Sequence, residues 1–518
     1  MKMEKTKNAS RNIVFGVSLK VYQILLPFIM RTVMMYTIGV EYLGLNSLFT
    51  SVLQVLNLAE LGVGSAMVFS MYKPIAEDDS ITICALMKLY RTYYRVIGGI
   101  ILVVGLLLTP FMPKLISGTI PEDMNIYFLY LLNLLATVLS YWLFAYRNSV
   151  LQAHQRNDLI SKVTLVTDTV KYLLQIAALV VLHDYYCYVI VLLLTQALNN
   201  VLTAIIAKRV FPQYNPEGKL AQNEIKQING KIRDLFTSKL GYTIVSSADT
   251  IVISAFLGLT VLAQYQNYYY IMSSIIGFMS IIYASISAGV GNSMITKSVD
   301  QNYREYCVFS LLVSFVSGIC GACFLCLYQP FMTLWMGENL LLPFSLVVLL
   351  CVYFWIYEYI MMASVYKDAG GIWHQDRFRP LISGVVNLAL NLATVRFIGL
   401  YGIVLSTIVS MAIVSAPWIT SNIFKLIFKK NPISYVVKIV YYVFSTVLAS
   451  TAAYVLTSLI SINGWICLII KAIVCVVSSV FVMVILLCRM KEFSDALYLI
   501  ARMFHLEKLL KKNELNDF

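Results

Sequence analysis

The chain has 518 residues, of which 59% are hydrophobic and only 13% charged, and its mean hydropathy is +0.78. A soluble protein of this length needs a wetted surface that so apolar a sequence cannot supply, so most of the chain faces lipid. The net charge of +13 does not point to nucleic acid. The Lys and Arg residues lie between apolar runs, on alternate sides, not in one basic block.

Taken in chain order, the apolar runs predict fourteen spans: 12–37, 44–70, 92–112, 123–146, 160–182, 186–208, 234–257, 262–292, 306–328, 341–364, 380–396, 401–427, 436–459 and 465–488. A helix needs roughly 20 residues to cross about 30 Å of hydrocarbon, and these runs are of that order. The first run is too long for a leader's apolar core and is not followed by a small-residue cleavage site, so it is expected to remain as the first helix. Most of the 39 Lys and Arg fall in the tails, in the even-numbered connections or beside them, whereas Lys114 and Arg396 mark the odd-numbered ones. That bias places both termini in the cytoplasm. The outer connections, such as 38–43, 183–185 and 258–261, are too short to hold a domain.

The longest connection, 209–233, carries Pro212, Pro216, Gly218 and five of the basic residues. It divides the expected fold, an all-α membrane protein of about fourteen helices, into two six-helix lobes, 12–208 and 234–427. Residues 1–11 form a cytoplasmic tail and 428–488 two further helices. In 489–518, Phe493, Leu497, Ile500, Phe504 and Leu510 oppose Lys508, Lys511 and Lys512, which predicts an amphipathic cytoplasmic helix.

The two halves echo each other. Lys20, Gly39 and Leu43 recur at one common shift as Lys239, Gly258 and Leu262. Tyr90-Arg91-x-Tyr93 returns as Tyr303-Arg304-x-Tyr306, Pro110-Phe111-Met112 as Pro330-Phe331-Met332, His154-Gln155 as His374-Gln375, and Leu159-Ile160-Ser161 as Leu381-Ile382-Ser383. An ordered series of this kind is an internal repeat. Six helices bring the chain back to its starting side, so the copies point the same way and are related about an axis normal to the membrane, as in transporters that rock around a central site.

The span count, the six-six-two division and the run Pro27-x-x-x-Arg31, Gly39-x-Glu41-Tyr42-x-Gly44, Leu58-Ala59-Glu60-Leu61-Gly62 resemble the polysaccharide exporter branch of the multidrug/oligosaccharidyl-lipid/polysaccharide (MOP) superfamily, the Wzx-type flippases. Where that family usually shows Asp-Leu-Gly in the second helix, Glu60-Leu61-Gly62 keeps the carboxylate. The resemblance implies a multi-pass protein of the bacterial plasma (inner) membrane that alternates between inward-open and outward-open states. It would move an isoprenoid-diphosphate-linked oligosaccharide outward for capsule, O-antigen or exopolysaccharide biosynthesis, alongside a polysaccharide polymerase and other assembly proteins. A drug or cation antiporter of the same superfamily, and less so a multi-helix enzyme of polysaccharide assembly, are the other readings.

An anionic diphosphate crossing hydrocarbon requires cationic walls, and Lys20, Arg31 and Lys239 are the intramembrane candidates for holding it. Lys20 and Arg31 can instead snorkel to the two interfaces. Candidates for ion coupling (H+ or Na+) or gating are Asp249, Glu358, Glu60, Asp168 and Lys171. Set against these roles are pairing of Asp249 with a neighbouring hydroxyl, helix packing at Glu60, and mutual neutralisation of Asp168 and Lys171 at i, i+3. Asn133, Gln175, Gln196, Asn199, Asn387 and Asn391 must in part face the interior, because an amide in lipid goes unsatisfied. Tyr265-Gln266-Asn267-Tyr268-Tyr269-Tyr270 offers sugar contacts or an aromatic belt.

No enzyme, cofactor or metal is expected. Cys320-x-x-Cys323-x-x-Cys326 has cluster-like spacing but lies within an apolar span without a fourth ligand nearby. There is no Walker motif.

Overall fold

The structure, a computed structural model, describes residues 5–503 apart from 61, 119, 121–123 and 461–463, together with the side chains of most of these. The tail residues Phe504, Lys508, Leu510, Lys511 and Lys512 lie outside the described residues. The described residues are mostly helix, joined by turns, bends and short irregular segments, with no strand among them. The helices are α1 Lys5–Thr37, α2 Val40–Leu56, α3 Val63–Ala76, α4 Ser80–Leu108, α5 Ile126–Trp142, α6 Asn148–Ala153, α7 Asn157–Ala177, α8 Tyr185–Val210, α9 Gln222–Leu257 and α10 Leu259–Thr296. They continue with α11 Val299–Met336, α12 Phe344–Ala369, α13 Trp373–Asp376, α14 Arg379–Ile398, α15 Leu400–Ser410, α16 Ala416–Ile423, α17 Ile433–Ser458, α18 Trp465–Leu487 and α19 Lys491–Met503.

Each expected span falls mainly on helix among the described residues. Among the described residues, 10 helices are each long and apolar enough to cross a membrane, and the bent pair Ile126–Trp142 with Ala145–Ala153 brings the total to 11. The chain is a multi-pass membrane protein. The remaining spans depart from a plain apolar helix for identifiable reasons. Span 12–37 lies in α1, which carries Lys20 and Arg31. Span 44–70 is split into α2 and α3 by a 3-10 turn at Asn57–Glu60 and by Gly62, whose φ of 90° is the left-handed conformation that glycine adopts without a Cβ penalty. Span 234–257 is the C-terminal part of α9, which begins at Gln222, so about the second half of the expected linker 209–233 is helical. Side-chain caps set several entries: Asp79 accepts from Thr82 N at 3.0 Å, Asn125 from Phe128 N at 3.1 Å and Asp184 from Tyr186 N at 2.6 Å.

The chain forms two compact units. The first comprises Met1–Gln266 and Leu388–Leu400 and the second Asn267–Asn387 and Tyr401–Phe518. In lipid, helices gain little from hydrophobic transfer to one another, so close packing and interhelical hydrogen bonds must hold them together. In the first unit α4 lies close on α5, with Gly98 beneath the Trp142 indole and Gly105 beneath Leu134. The Trp142 Nε1–H donates to the Arg95 carbonyl at 3.1 Å. In the second unit the 38-residue α11 is the central strut, packed by α12, α17, α18 and α19. Tyr306 of α11, Tyr366 of α12, Phe424 and Phe428 after α16, and Tyr435 of α17 stack into one buried aromatic cluster. The amphipathic α19 docks on this unit through Phe493 and Ala496, and Lys438 of α17 pairs with its Glu492 at 2.5 Å.

Candidate functional site

Helix α1 positions the two described cations. Side chains advance about 100° per residue around a helix. Val21, Leu25, Ile29 and Tyr36 therefore form one exposed stripe. Lys20, Pro27 and Arg31 fall together on the opposite side, and Lys20 and Arg31 are both partly buried. Neither cation belongs to the exposed apolar stripe. The rise of about 1.5 Å per residue separates them by about 16 Å along the axis. Arg31 acts electrostatically on the buried Tyr188 of α8. Lys239 belongs to α9, but its side chain lies outside the described residues.

Beside α1, Tyr22 and Thr169 of α7 share a hydrogen bond of 2.7 Å. Within the same turn of α7, Lys171 Nζ sits 2.6 Å from Asp168 Oδ1 and 4.3 Å from the centre of the Tyr172 ring. The two charges form a local pair on one face of α7. The first unit also holds Asp249 of α9, which is buried and accepts from Asn391 Nδ2 of α14 at 2.6 Å. Asn133 and Gln175 are buried and donate to the carbonyls of Leu129 and Tyr188, at 2.9 Å and 3.3 Å. Asn199 accepts from Thr167 at 3.1 Å.

Glu60 lies at the break between α2 and α3. Tyr94 of α4 donates to its Oε1 at 3.2 Å, and Tyr90 donates to Tyr94 at 2.5 Å. Tyr141 of α5 packs edge-on against Tyr94 and donates to Asn57 Oδ1 at 3.1 Å. The carboxylate thus sits among three tyrosines, roofed by Gly64, where a Cβ would come within 3.0 Å of Tyr90 Oη and 3.1 Å of Glu60 Oε1.

The second unit also sets a tyrosine hydroxyl against a carboxylate. Glu358 of α12 is fully buried, and Tyr283 of α10 donates to its Oε2. Tyr359, next in sequence, shares a hydrogen bond of 2.7 Å with Thr420 of α16. Asn387 Nδ2 donates to Thr407 at 2.9 Å. Sequence reasoning singled out both carboxylates but missed Tyr94, Tyr141 and Tyr283. Among 35 tyrosines nothing in one sequence marks those that meet a carboxylate; only Tyr90 carried a signal, through its place in the repeat.

Among the described residues no group of three or more His, Cys, Asp or Glu could hold a metal ion. Cys323 is 3.9 Å from Cys475 of α18, and all ten cysteines are free thiols. Within Tyr265–Tyr270 the side chains serve the protein interior at several points. Gln266 donates to Thr250 at 2.8 Å, and Tyr268 is buried and donates to Gln329 at 2.7 Å.

No protein-family profile matches the chain, and no curated protein matches it in sequence. Solved structures do match in fold. The inward-closed form of the lipid II flippase MurJ aligns with a TM-score of 0.65 at 15% identity, covering 92% of this chain and 99% of that one. An inward-facing multidrug resistance MATE family transporter of the MOP superfamily aligns with a TM-score of 0.61 at 15% identity, over 80% of this chain and 98% of that one. A MOP superfamily transporter from Pyrococcus furiosus aligns with a TM-score of 0.52 at 14% identity, over 82% and 97%. The chain therefore has the fold found in lipid II flippase MurJ and in MATE transporters.

Proposed function

We propose that this chain is an alternating-access flippase that carries an isoprenoid-diphosphate-linked oligosaccharide from the inner to the outer leaflet for surface polysaccharide biosynthesis. The observation that carries the reading is coverage. Similarity to the lipid II flippase takes in 92% of this chain, against 80% and 82% for the two transporters compared above. A twelve-helix antiporter gives no place to α17 and α18, which are packed against α11.

The residues supply a physical rationale. Neither a diphosphate nor a hydrated glycan crosses hydrocarbon unaided. Lys20 and Arg31 stand on the side of α1 away from its exposed apolar stripe. They provide point-charge and bidentate recognition of phosphate at two depths, with Lys239 as the repeat partner of Lys20. Glu358 or Asp249 takes the coupling ion, H+ or Na+, while Glu60 and the Asp168–Lys171 pair adjust as the helices move. The membrane concerned is the bacterial plasma membrane, with both termini cytoplasmic.

The test is a deletion strain. Loss of the chain should trap lipid-linked oligosaccharide in the inner leaflet and abolish surface polymer, and its return should restore both. Restored efflux of cationic dyes without restored polymer would favour the antiporter reading.

A further inference from the structure

Three stretches of the second unit frame an apolar groove: the middle of α12, the run from Ala412 through α16, and the start of α17. On the α16 wall Ala412, Ala416 and Thr420 follow at i, i+4 and i+8 and share a helix face. Small side chains spaced in this way ordinarily let a second helix in lipid come into close contact. Here no helix fills the space. α16 is bounded on both sides by π turns, Met411–Ser415 and Phe424–Phe428, and Pro417 and Pro432 line the gap that remains, about 390 Å³. A methylene is about as large as a water molecule, about 30 Å³, so the gap has room for about a dozen, the scale of one acyl chain.

The surroundings are those of a surface turned to lipid. Ile413 beside the α16 wall and Ile433, Val437 and Val440 along α17 are exposed. Thr420 donates to the Ala416 carbonyl at 2.7 Å and shares a 2.7 Å hydrogen bond with Tyr359 of α12, so this hydroxyl pair makes no demand on the groove's occupant. The mouth of the groove is different. Lys425 lies one helical turn beyond Ser421, the last groove residue on that wall, and Lys429 and Lys430 stand just before Pro432. All three lysines are exposed. Lys430 pairs with Asp300 at 2.6 Å, whereas Lys425 and Lys429 have no ion-pair partner among the described residues. A carbon-lined groove thus ends at two cations that no carboxylate neutralises. A lipid with a negative headgroup matches both parts, because ammonium groups at the membrane surface attract anionic lipid. A zwitterionic headgroup carries a cation of its own and gains less.

We propose that this groove binds one anionic phospholipid, with an acyl chain lying along Ala412, Ala416 and Val436 and the phosphate held by Lys425 and Lys429. The lipid lies against α12, α16 and α17 at once, so it fastens α17 to the two helices before it. It is a resident ligand, separate from any transported one, and the site stands whatever the chain transports.

The test uses the full-length protein, stripped of lipid in detergent and titrated with phosphatidylglycerol or phosphatidylcholine of identical acyl chains. Retention is read by native mass spectrometry. Contact with the groove is read with dibrominated chains, which quench nearby tryptophan. Trp355 lines the groove, so its part of the quenching is the difference between the unsubstituted protein and Trp355→Phe. Phosphatidylglycerol should bind at a several-fold lower concentration than phosphatidylcholine and quench Trp355. Lys425→Ala with Lys429→Ala should erase that preference, while Lys219→Ala with Lys226→Ala, exposed lysines of the other unit, should keep it. Ala416→Phe, which fills the groove, should abolish Trp355 quenching by either lipid. Val436→Phe should weaken it from an exposed position, which keeps the test decisive if Ala416→Phe fails to fold. Equal binding of the two lipids, a preference unchanged in the Lys425 and Lys429 double variant, or Trp355 quenching unchanged in both phenylalanine variants would overturn the site. Displacement of phosphatidylglycerol by an equal concentration of a polyprenyl phosphate would also overturn it, by making the groove a place for isoprenoid chains.

Discussion

Gly44 of α2 lies so close to the backbone carbonyl of Leu259, the first residue of α10, that a Cβ at position 44 would collide with it. A nearby side-chain contact accompanies the approach, Thr260 Oγ1 donating to Glu41 Oε1 at 3.5 Å across a separation of 219 residues. Because the obstruction is backbone and not the far end of a flexible side chain, Gly44→Ala cannot be relieved by a rotamer change. It should cost about 1–3 kcal/mol, as overpacking does. A thermal unfolding scan of the purified protein checks this against Gly99→Ala, where nothing lies within 4 Å. The first variant should melt lower, while the second should match or exceed the unsubstituted protein.

The spans were legible because hydrocarbon thickness imposes helix length on any sequence that crosses it, and the repeat was legible where backbone geometry demands glycine. Gly39 and Gly258 both take positive φ, 114° and 92°, with extended ψ of 166° and 173°. No other residue type adopts that conformation readily. The break at Gly62 was hidden, since Leu58 to Gly64 is as apolar as a continuous helix; a glycine within a span does not announce whether it serves packing or a left-handed turn. The helical start of α9 was obscured by Lys226, Lys231 and Arg233, which signal an aqueous connection but are compatible with a solvated helix. The carboxylates stood out by their cost in lipid. Their tyrosine partners did not, because a tyrosine on an apolar helix is ordinary until its neighbour is known.

Lys20 and Arg31 should respond to different substitutions. Lys20→Arg keeps the positive charge and should retain most surface polymer, whereas Arg31→Lys surrenders the planar fork and should lose more. Removing both charges, as Lys20→Ala with Arg31→Ala, should abolish display at unchanged protein level. Quantifying surface polymer and membrane-fraction protein in the same cells checks the prediction. Full display in the double variant would remove α1 from the substrate path.

His154 ties two connections of the first unit together. In its neutral form Nδ1–H donates to the Val150 carbonyl at 2.9 Å, while Nε2 accepts from Tyr214 Oη at 3.4 Å. The ring packs, tilted by 35°, against Phe211, 4.2 Å between centroids. Burial lowers its pKa below the ordinary histidine value. Since the folded state binds the proton less readily than the unfolded chain, the contribution to stability is present above about pH 6.5 and fades as pH falls through the lowered folded value. Hydrogen exchange at Gln155 and Tyr214 should therefore quicken on acidification from pH 7.5. His154→Phe, which cannot titrate, should flatten that dependence.

Glu358 and Asp249 compete for the coupling role, and their surroundings separate them. Glu358 has one oxygen held by Tyr283 and the other without a partner among the described residues, so it can take up a proton without breaking an existing bond to that second oxygen. Asp249 accepts from an amide N–H of Asn391, so a carboxylate and a carboxamide, the oxygen-ligand types a hard cation takes, stand side by side. If protons drive the cycle, Glu358→Gln should remove the dependence of polymer display on the pH gradient while Asp249→Asn leaves it in place. If sodium drives it, the two variants should exchange outcomes when the gradient is made of Na+ instead. Measuring display in cells with each gradient collapsed separately decides between them. Loss of neither dependence in either variant would place the coupling ion elsewhere in the chain.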